Sequence, residues 1–151
     1  MVDATGLRRD FYHEVASRYW KRSATSEEVD QGLAGDGVEL LVPSTGQFVV
    51  GRFEGEAAAC GGLLMLDAGC AELTRVYLRP RFRGKKGAGL LLELLESEAR
   101  LLGASRVVLN TRLDLVEARA LYVRHGYREI PAYRTGPYVE ICYGKDLDRL
   151  G

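Results

Sequence analysis

The stretch from Ala71 to Leu102 limits the possible folds more than any other part of this 151-residue chain. Ala71 to Leu78 alternates and is rich in Leu, Val and Tyr, which predicts a strand. Arg79-Pro80 ends it, because proline has no N–H to donate to a ladder. Arg81 to Gly89 is a loop of glycines and cations. Beyond it Ala88, Leu91, Leu92, Leu95, Ala99 and Leu102 fall on one face of a helix and Glu93, Glu96, Ser97 and Arg100 on the other, with Gly103 suited to follow the helix end. Strand, loop and long helix in that order imply a crossover between parallel strands.

The flanking segments complete a sheet. Leu7, Phe11, Val15 and Tyr19 recur every four residues within Asp3 to Trp20 and predict a first helix. Thr25 and Glu28 have the spacing of a capping box, so a second helix starts there and ends at Gly32 to Gly37. Gln47 to Phe53, the Glu54-Gly55 turn and Ala57 to Leu66 read as a hairpin. Arg106 to Asn110 is a short buried strand, Val116 to Arg124 a helix ended by Gly126, Tyr127 to Ile130 a strand ended by Pro131, and Val139 to Lys145 the last strand. The order αα, βββ, α, β, α, β, β defines the α/β (α+β) class, with a mixed, largely antiparallel central sheet flanked by helices. No repeat, low-complexity segment or linker divides the chain, so residues 1–151 read as a single domain.

Composition excludes several classes. A chain of this length buries roughly 68 to 70% of its unfolded surface, and with 46% hydrophobic residues it has the material for a core, which argues against disorder. No apolar run approaches the roughly 20 residues of a membrane span. Met1 to Asp10 is polar and does not resemble a signal peptide, so a cytoplasmic protein is expected. Cys60, Cys70 and Cys142 lack CxxC spacing and His13 and His125 stand alone, which suggests neither disulfides nor a metal site.

The 21 Lys and Arg balance 21 Asp and Glu, and this neutrality argues against a nucleic-acid partner. The balance is uneven along the chain. Leu73 to Leu92 holds Arg75, Arg79, Arg81, Arg83, Lys85 and Lys86 and no acid. These cations surround the place where a glycine loop meets a helix N-terminus, whose unpaired N–H groups and positive dipole end favour phosphate. A solvated basic turn is the plain alternative. A magnesium-nucleotide loop would need Ser or Thr after its Gly-Lys, whereas Lys85 and Lys86 precede Gly87 and Ala88. A dinucleotide-binding fold would not place a β-hairpin ahead of the loop.

The run Ala71-Glu72-Leu73-Thr74-Arg75-Val76-Tyr77-Leu78-Arg79-Pro80, followed by Phe82-Arg83-Gly84-Lys85-Lys86-Gly87-Ala88-Gly89-Leu90-Leu91-Leu92, resembles the strand and pyrophosphate loop of the GNAT superfamily of acyl-CoA-dependent N-acetyltransferases. Ala118-Arg119-Ala120-Leu121-Tyr122-Val123-Arg124-His125-Gly126-Tyr127 resembles that superfamily's second landmark, a helix with Leu-Tyr that ends in Gly-aromatic. With the strand order, the likeness covers roughly residues 47 to 146. Three departures stand out. The loop pattern Gln/Arg-x-x-Gly-x-Gly/Ala, started at Arg83, meets Lys86 where glycine is usual, or else Gly87-Ala88-Gly89 supplies the GxG of a loop one residue longer. Leu115 stands where the family often has Asn, and no strand is evident before the first helix.

The resemblance implies acetyl-CoA as co-substrate and a primary amine on a small molecule or peptide as acceptor, with no metal, nucleic acid or membrane involved. It leaves a homodimer open. Backbone groups of Arg83, Gly84, Lys85, Lys86, Gly87, Ala88 and Gly89 are expected at the pyrophosphate, and those of Val76, Tyr77 and Leu78 along the pantetheine arm. Glu72 is the implied base, against the alternative that it pairs with Arg75 or faces solvent. Tyr122 is the implied proton donor to the departing sulfur, against a place in the core. His125 fits a structural helix end, and Cys60 and Cys142 lack the partner that a covalent relay needs. Tyr133, Tyr138 and Tyr143 either border the acceptor or form an edge hairpin. A non-catalytic acyl-CoA-binding regulatory module is the rival reading.

Overall fold

The computed structural model describes residues 2–21, 23–34, 45–67, 69–83 and 87–147, with the side chains of 2–4, 18–20 and 32 left aside. Gly84, Lys85 and Lys86 of the expected phosphate loop therefore lie outside the described residues. Helix α1 (Val2–Trp20) is followed by α2 (Ser26–Ala34). The capping box forms as the spacing predicts: the Glu28 amide donates to Thr25 Oγ1 (3.1 Å) and the Thr25 amide to Glu28 Oε1 (2.9 Å).

Strands β1 (Gly46–Phe53), β2 (Glu56–Asp67) and β3 (Cys70–Leu78) form an antiparallel meander. Glu54 and Gly55 both have positive φ (51° and 85°), the left-handed pair that a tight hairpin of matching twist requires. After a short turn over Pro80–Phe82 come α3 (Gly87–Leu101), β4 (Arg106–Thr111), α4 (Val116–Arg124), β5 (Arg128–Ile130) and β6 (Ile141–Asp146). Among the described residues α3 begins at Gly87, so Gly87 to Gly89 are helical. The sheet order is β1-β2-β3-β4-β6-β5, and β3 with β4 is its parallel neighbour pair, as the crossover through α3 demands. Among the described residues no strand precedes α1 and no helix is long and apolar enough to cross a membrane.

Two apolar clusters lie on opposite faces of the sheet. On one, Leu91, Leu92, Leu95 and Ala99 of α3 meet Leu63, Ala71, Leu73, Val107 and Leu109, with Tyr122, Tyr127 and Tyr143 beside them. Gly61 makes this contact possible, because a Cβ there would stand 2.6 Å from Leu95 Cδ1. On the other face, Leu7 and Phe11 of α1 pack on Cys60 and Tyr77.

Glu96 departs from the periodic pattern. Helical spacing puts it on the polar face, yet it is buried, where Tyr127 Oη donates to its Oε2 (2.9 Å) and Lys145 Nζ lies 2.9 Å from Oε1. Because β6 brings Lys145 over α3, a charge that is unfavourable on an isolated apolar surface gains a counter-ion and a hydrogen bond. Lys145→Met should lower unfolding stability by about 2–4 kcal/mol in urea titrations, below a fully buried pair because water reaches the lysine. Adding Glu96→Gln should restore about half, since the amide still accepts from Tyr127 without carrying charge.

Candidate active site

Strands β3 and β4 pair through Cys70↔Arg106, Ala71↔Val107 and Glu72↔Val108, and then separate. Both continue, β3 to Leu78 and β4 to Thr111, so a gap opens inside the sheet. A bulge accompanies the separation. Gly61 of β2 faces an extra residue of β3, and Arg75 there takes φ 54°. The insertion reverses side-chain parity: Ala71 and Leu73 face α3 before it, Val76 and Leu78 after it, while Tyr77 turns toward α1. The Arg79 amide donates to Ala58 O of β2, and backbone groups alternate along a strand, so the amides of Val76 and Leu78 point into the gap and that of Tyr77 points away. Of the three expected pantetheine positions, two present backbone to the opening.

Helix α1 crosses the mouth of this gap on the side away from α3. Asp10 accepts from Arg79 Nε (3.0 Å) and Glu14 from Arg83 Nη2 (3.0 Å), both at the tip of the β3 arm. At the tip of the β4 arm, buried Arg112 donates to Val15 O of α1 (2.8 Å) while its other nitrogens hold Asp114. Arg81 pairs with Glu56 at 2.6 Å. Three cations of the acid-free stretch are thus neutralised by acids distant in sequence. Arg83, expected at the pyrophosphate, also spans back to Leu78 O (2.8 Å) and stacks its guanidinium 5.7 Å from the Tyr77 ring, which braces the start of the loop. The α3 N-terminus follows, and a Cβ on Gly89 would meet the His125 ring at 2.9 Å, so close packing selects glycine there.

Glu72, the last residue paired with β4, is buried on the α1 side of the sheet. Tyr133 Oη donates to its Oε2 (2.6 Å), Asn110 Nδ2 donates to the same oxygen (3.2 Å) and to Tyr133 Oη (3.1 Å), and Arg134 stands 3.4 Å from Oε1. It pairs with Arg134 rather than Arg75. Asn110 and Arg134 went unrecognised in the sequence, where an Asn closing an apolar strand was the available signal. Burial and the hydrogen bond to Glu72 raise the Tyr133 phenol well above its ordinary range, so it serves as a neutral donor.

Tyr122 lies on the opposite side, within the α3 cluster, 5.9 Å from the Tyr127 ring and 6.3 Å from that of Tyr143, itself the register partner of Leu109 on the β4 arm. Among the described residues its hydroxyl has no hydrogen-bond partner, and burial pushes its pKa up to about 12. Tyr143, read as either bordering the acceptor or lying in an edge hairpin, is buried beside Tyr122 and accepts from Arg119 Nε (3.2 Å); Tyr138 is exposed. Leu115 sits at the N-cap of α4 and supplies no side-chain cap. Cys60 lies buried against Arg75 O with its thiol pushed up to about 12, unsuited to nucleophilic work. Among the described residues no group of three His, Cys, Asp or Glu gathers as a metal site.

Residues 8–127 match the model of the family described as Acetyltransferase (GNAT) family. The chain is 32% identical over 121 residues to an uncharacterized N-acetyltransferase of Schizosaccharomyces pombe, a match covering 79% of this chain and 74% of that protein. Its fold matches a GNAT-family acetyltransferase from Staphylococcus aureus with a TM-score of 0.76 at 18% identity, over 95% of this chain and 92% of that one. A PaiA N-acetyltransferase from Thermoplasma acidophilum in complex with coenzyme A gives 0.70 at 16% identity, over 93% and 91%. The chain belongs to the GNAT family of acetyltransferases and is an acetyl-CoA-dependent acyltransferase.

The buried phenol predicts an alkaline instability. Folded Tyr122 titrates near pH 12 against about 10 when unfolded, so it binds its proton in both states below pH 10, and its contribution to stability is lost as pH rises from 10 through 12. Tyr122→Phe should therefore lose less stability than the parent between pH 9 and 11 in urea titrations.

Proposed function

We propose that the chain transfers the acetyl group of acetyl-CoA to a primary amine of a small molecule or peptide, by direct attack with both substrates bound. The observation that carries this reading is the early end of β3–β4 pairing, which leaves strand edge open between a buried carboxylate on one face and a buried phenol on the other. Unpaired backbone inside a sheet is costly unless something pairs with it, and a pantetheine arm, with amides spaced much like a peptide, fits that need. Acetyl-CoA supplies an acyl group already activated as a thioester.

In this reading Val76 and Leu78 offer backbone to the arm, with Tyr77 packing behind them. Arg83 through Gly89, with Gly84, Lys85 and Lys86 between, take the pyrophosphate at the start of α3, where Gly87, Ala88 and Gly89 present N–H groups without intrahelical partners. An amine of ordinary pKa near 10.4 is free base in about one molecule in a few thousand at pH 7, so a proton acceptor is needed, and Glu72 is placed to serve on the α1 side. Tyr122, kept protonated by its burial, donates to the departing sulfur from the other side. A buried carboxylate beside the gap, held by two hydrogen bonds and one ion pair, favours chemistry over a binding module.

Glu72→Gln should lower kcat about 10²- to 10⁴-fold and Tyr122→Phe should lower it too, measured as CoA release with an accepted amine. Both variants should still be stabilised by acetyl-CoA, by about 2.7 kcal/mol at 100 times Kd. Unchanged turnover in both would sink the catalytic roles, and no stabilisation of the parent by acetyl-CoA would sink the cofactor site.

A further inference from the structure

On the Glu72 side of the sheet, a groove of about 540 Å³ has Cys70 and Val108 in its strand floor and is further lined by Arg106, Tyr133, Arg134 and the exposed Asp67. Val108 is the register partner of Glu72, and Cys70 lies two residues before it, on the same side. The groove therefore abuts the carboxylate, screened from it by Tyr133 and Arg134.

The charges here are unevenly committed. Glu72 is buried, and its Oε2 is occupied by Tyr133 and Asn110. Oε1 has the 3.4 Å contact with Arg134, whose side chain is 45% exposed. Among the described residues that ion pair is Arg134's one polar contact, and it makes no hydrogen bond, so most of its five donors are uncommitted. Arg106 is also loosely held, its nearest acid being the almost fully exposed Asp146 at 4.0 Å. Two under-used guanidiniums in the groove, with the buried Glu72 carboxylate behind Arg134 and the exposed Asp67 also on the lining, suit a ligand that carries both signs of charge.

We infer that the acceptor is an amine that also bears a carboxylate close by, an α-amino acid being the simplest case. Its ammonium replaces Arg134 at Glu72 Oε1, and its carboxylate takes the fork of the guanidinium so released, with Arg106 further along the groove. Glu72 and Arg134 then each keep a partner. A plain amine would leave Arg134 without one, so it is disfavoured. The inference rests on Glu72 being the residue that receives the amine.

The test is a comparison of kcat/KM for the twenty common amino acids, their carboxamides and their decarboxylated amines, in the parent, Arg134→Ala, Arg134→Lys and Glu72→Gln. The parent should prefer the free amino acid over its two carboxylate-free analogues by about 10- to 100-fold, the effect of charge-assisted hydrogen bonds. Arg134→Ala should bring that preference to within about threefold by raising KM for the amino acid, and Arg134→Lys should restore part of it as a single-point contact. Acetyl-CoA should stabilise the arginine variants as it does the parent, which separates lost recognition from lost fold. The inference is overturned if no carboxylate-bearing amine is acetylated, if the parent uses the analogues equally well, or if Arg134→Ala keeps the full preference. Glu72→Gln should lower kcat for amino acid and analogue alike. Unimpaired turnover in that variant counts against the base assignment, while the Arg134 ratio still decides the carboxylate.

Discussion

The backbone pairing of β3 with β4, and its end after three residues, is the constraint on which the rest of the molecule depends. Parallel strands in the middle of a sheet ordinarily satisfy each other's N–H and C=O groups along their length. Here the bulge at Arg75 alters the course of β3, the arms part, and the amides of Val76 and Leu78 are left for another partner, Leu78 O being held by Arg83. The features that follow concern keeping this opening in place. Helix α1 ties one arm through Asp10 and Glu14 and the other through Val15 O, while α3 and α4 close the opposite face with a leucine and tyrosine core.

Electrostatics follow the same geometry. A neutral chain with a six-cation stretch looks as if it carries a strong local positive field, yet Arg79, Arg81 and Arg83 each meet an acid from α1 or the β1–β2 hairpin. These arginines act largely as struts, so the phosphate site proposed at the start of α3 relies more on backbone N–H groups than on their charge. The buried carboxylates divide in a comparable way. Glu96 is locked to Lys145 and Tyr127 within the helical layer, whereas Glu72 combines two firm hydrogen bonds with one loose ion pair to a half-exposed arginine. A carboxylate with one exchangeable partner is better suited to meet a ligand.

Much of the architecture was legible in the sequence because it is written in local terms. The Thr25–Glu28 cap, the Glu54-Gly55 turn, the stop at Pro80 and the leucine face of α3 each depend on residues within a few positions of one another. Glu72 and Tyr122 were singled out through motif resemblance, which carries positions but not surroundings. The place of Tyr143 stayed open because C-terminal aromatics look alike in sequence, and strand register decides which face each one joins. Glu96 was misread for a related reason: helical periodicity separates faces but does not reveal that β6 will cover part of the polar one.

The sequence by itself determined the order of elements, the crossover at α3 and the two landmarks that give the family, since propensity, capping and periodicity act over short spans. The tertiary structure alone decided that the sheet opens after Glu72, that α1 pairs with Arg79 and Arg83, and that Asn110, Tyr133 and Arg134 gather on one carboxylate. Asn110 and Tyr133 lie 38 and 61 positions from Glu72 and 23 from each other, and Arg134 adjoins Tyr133. Such contacts arise from strand register, a bulge and the fold of the β5–β6 connection over the sheet, and no short-range pattern encodes them.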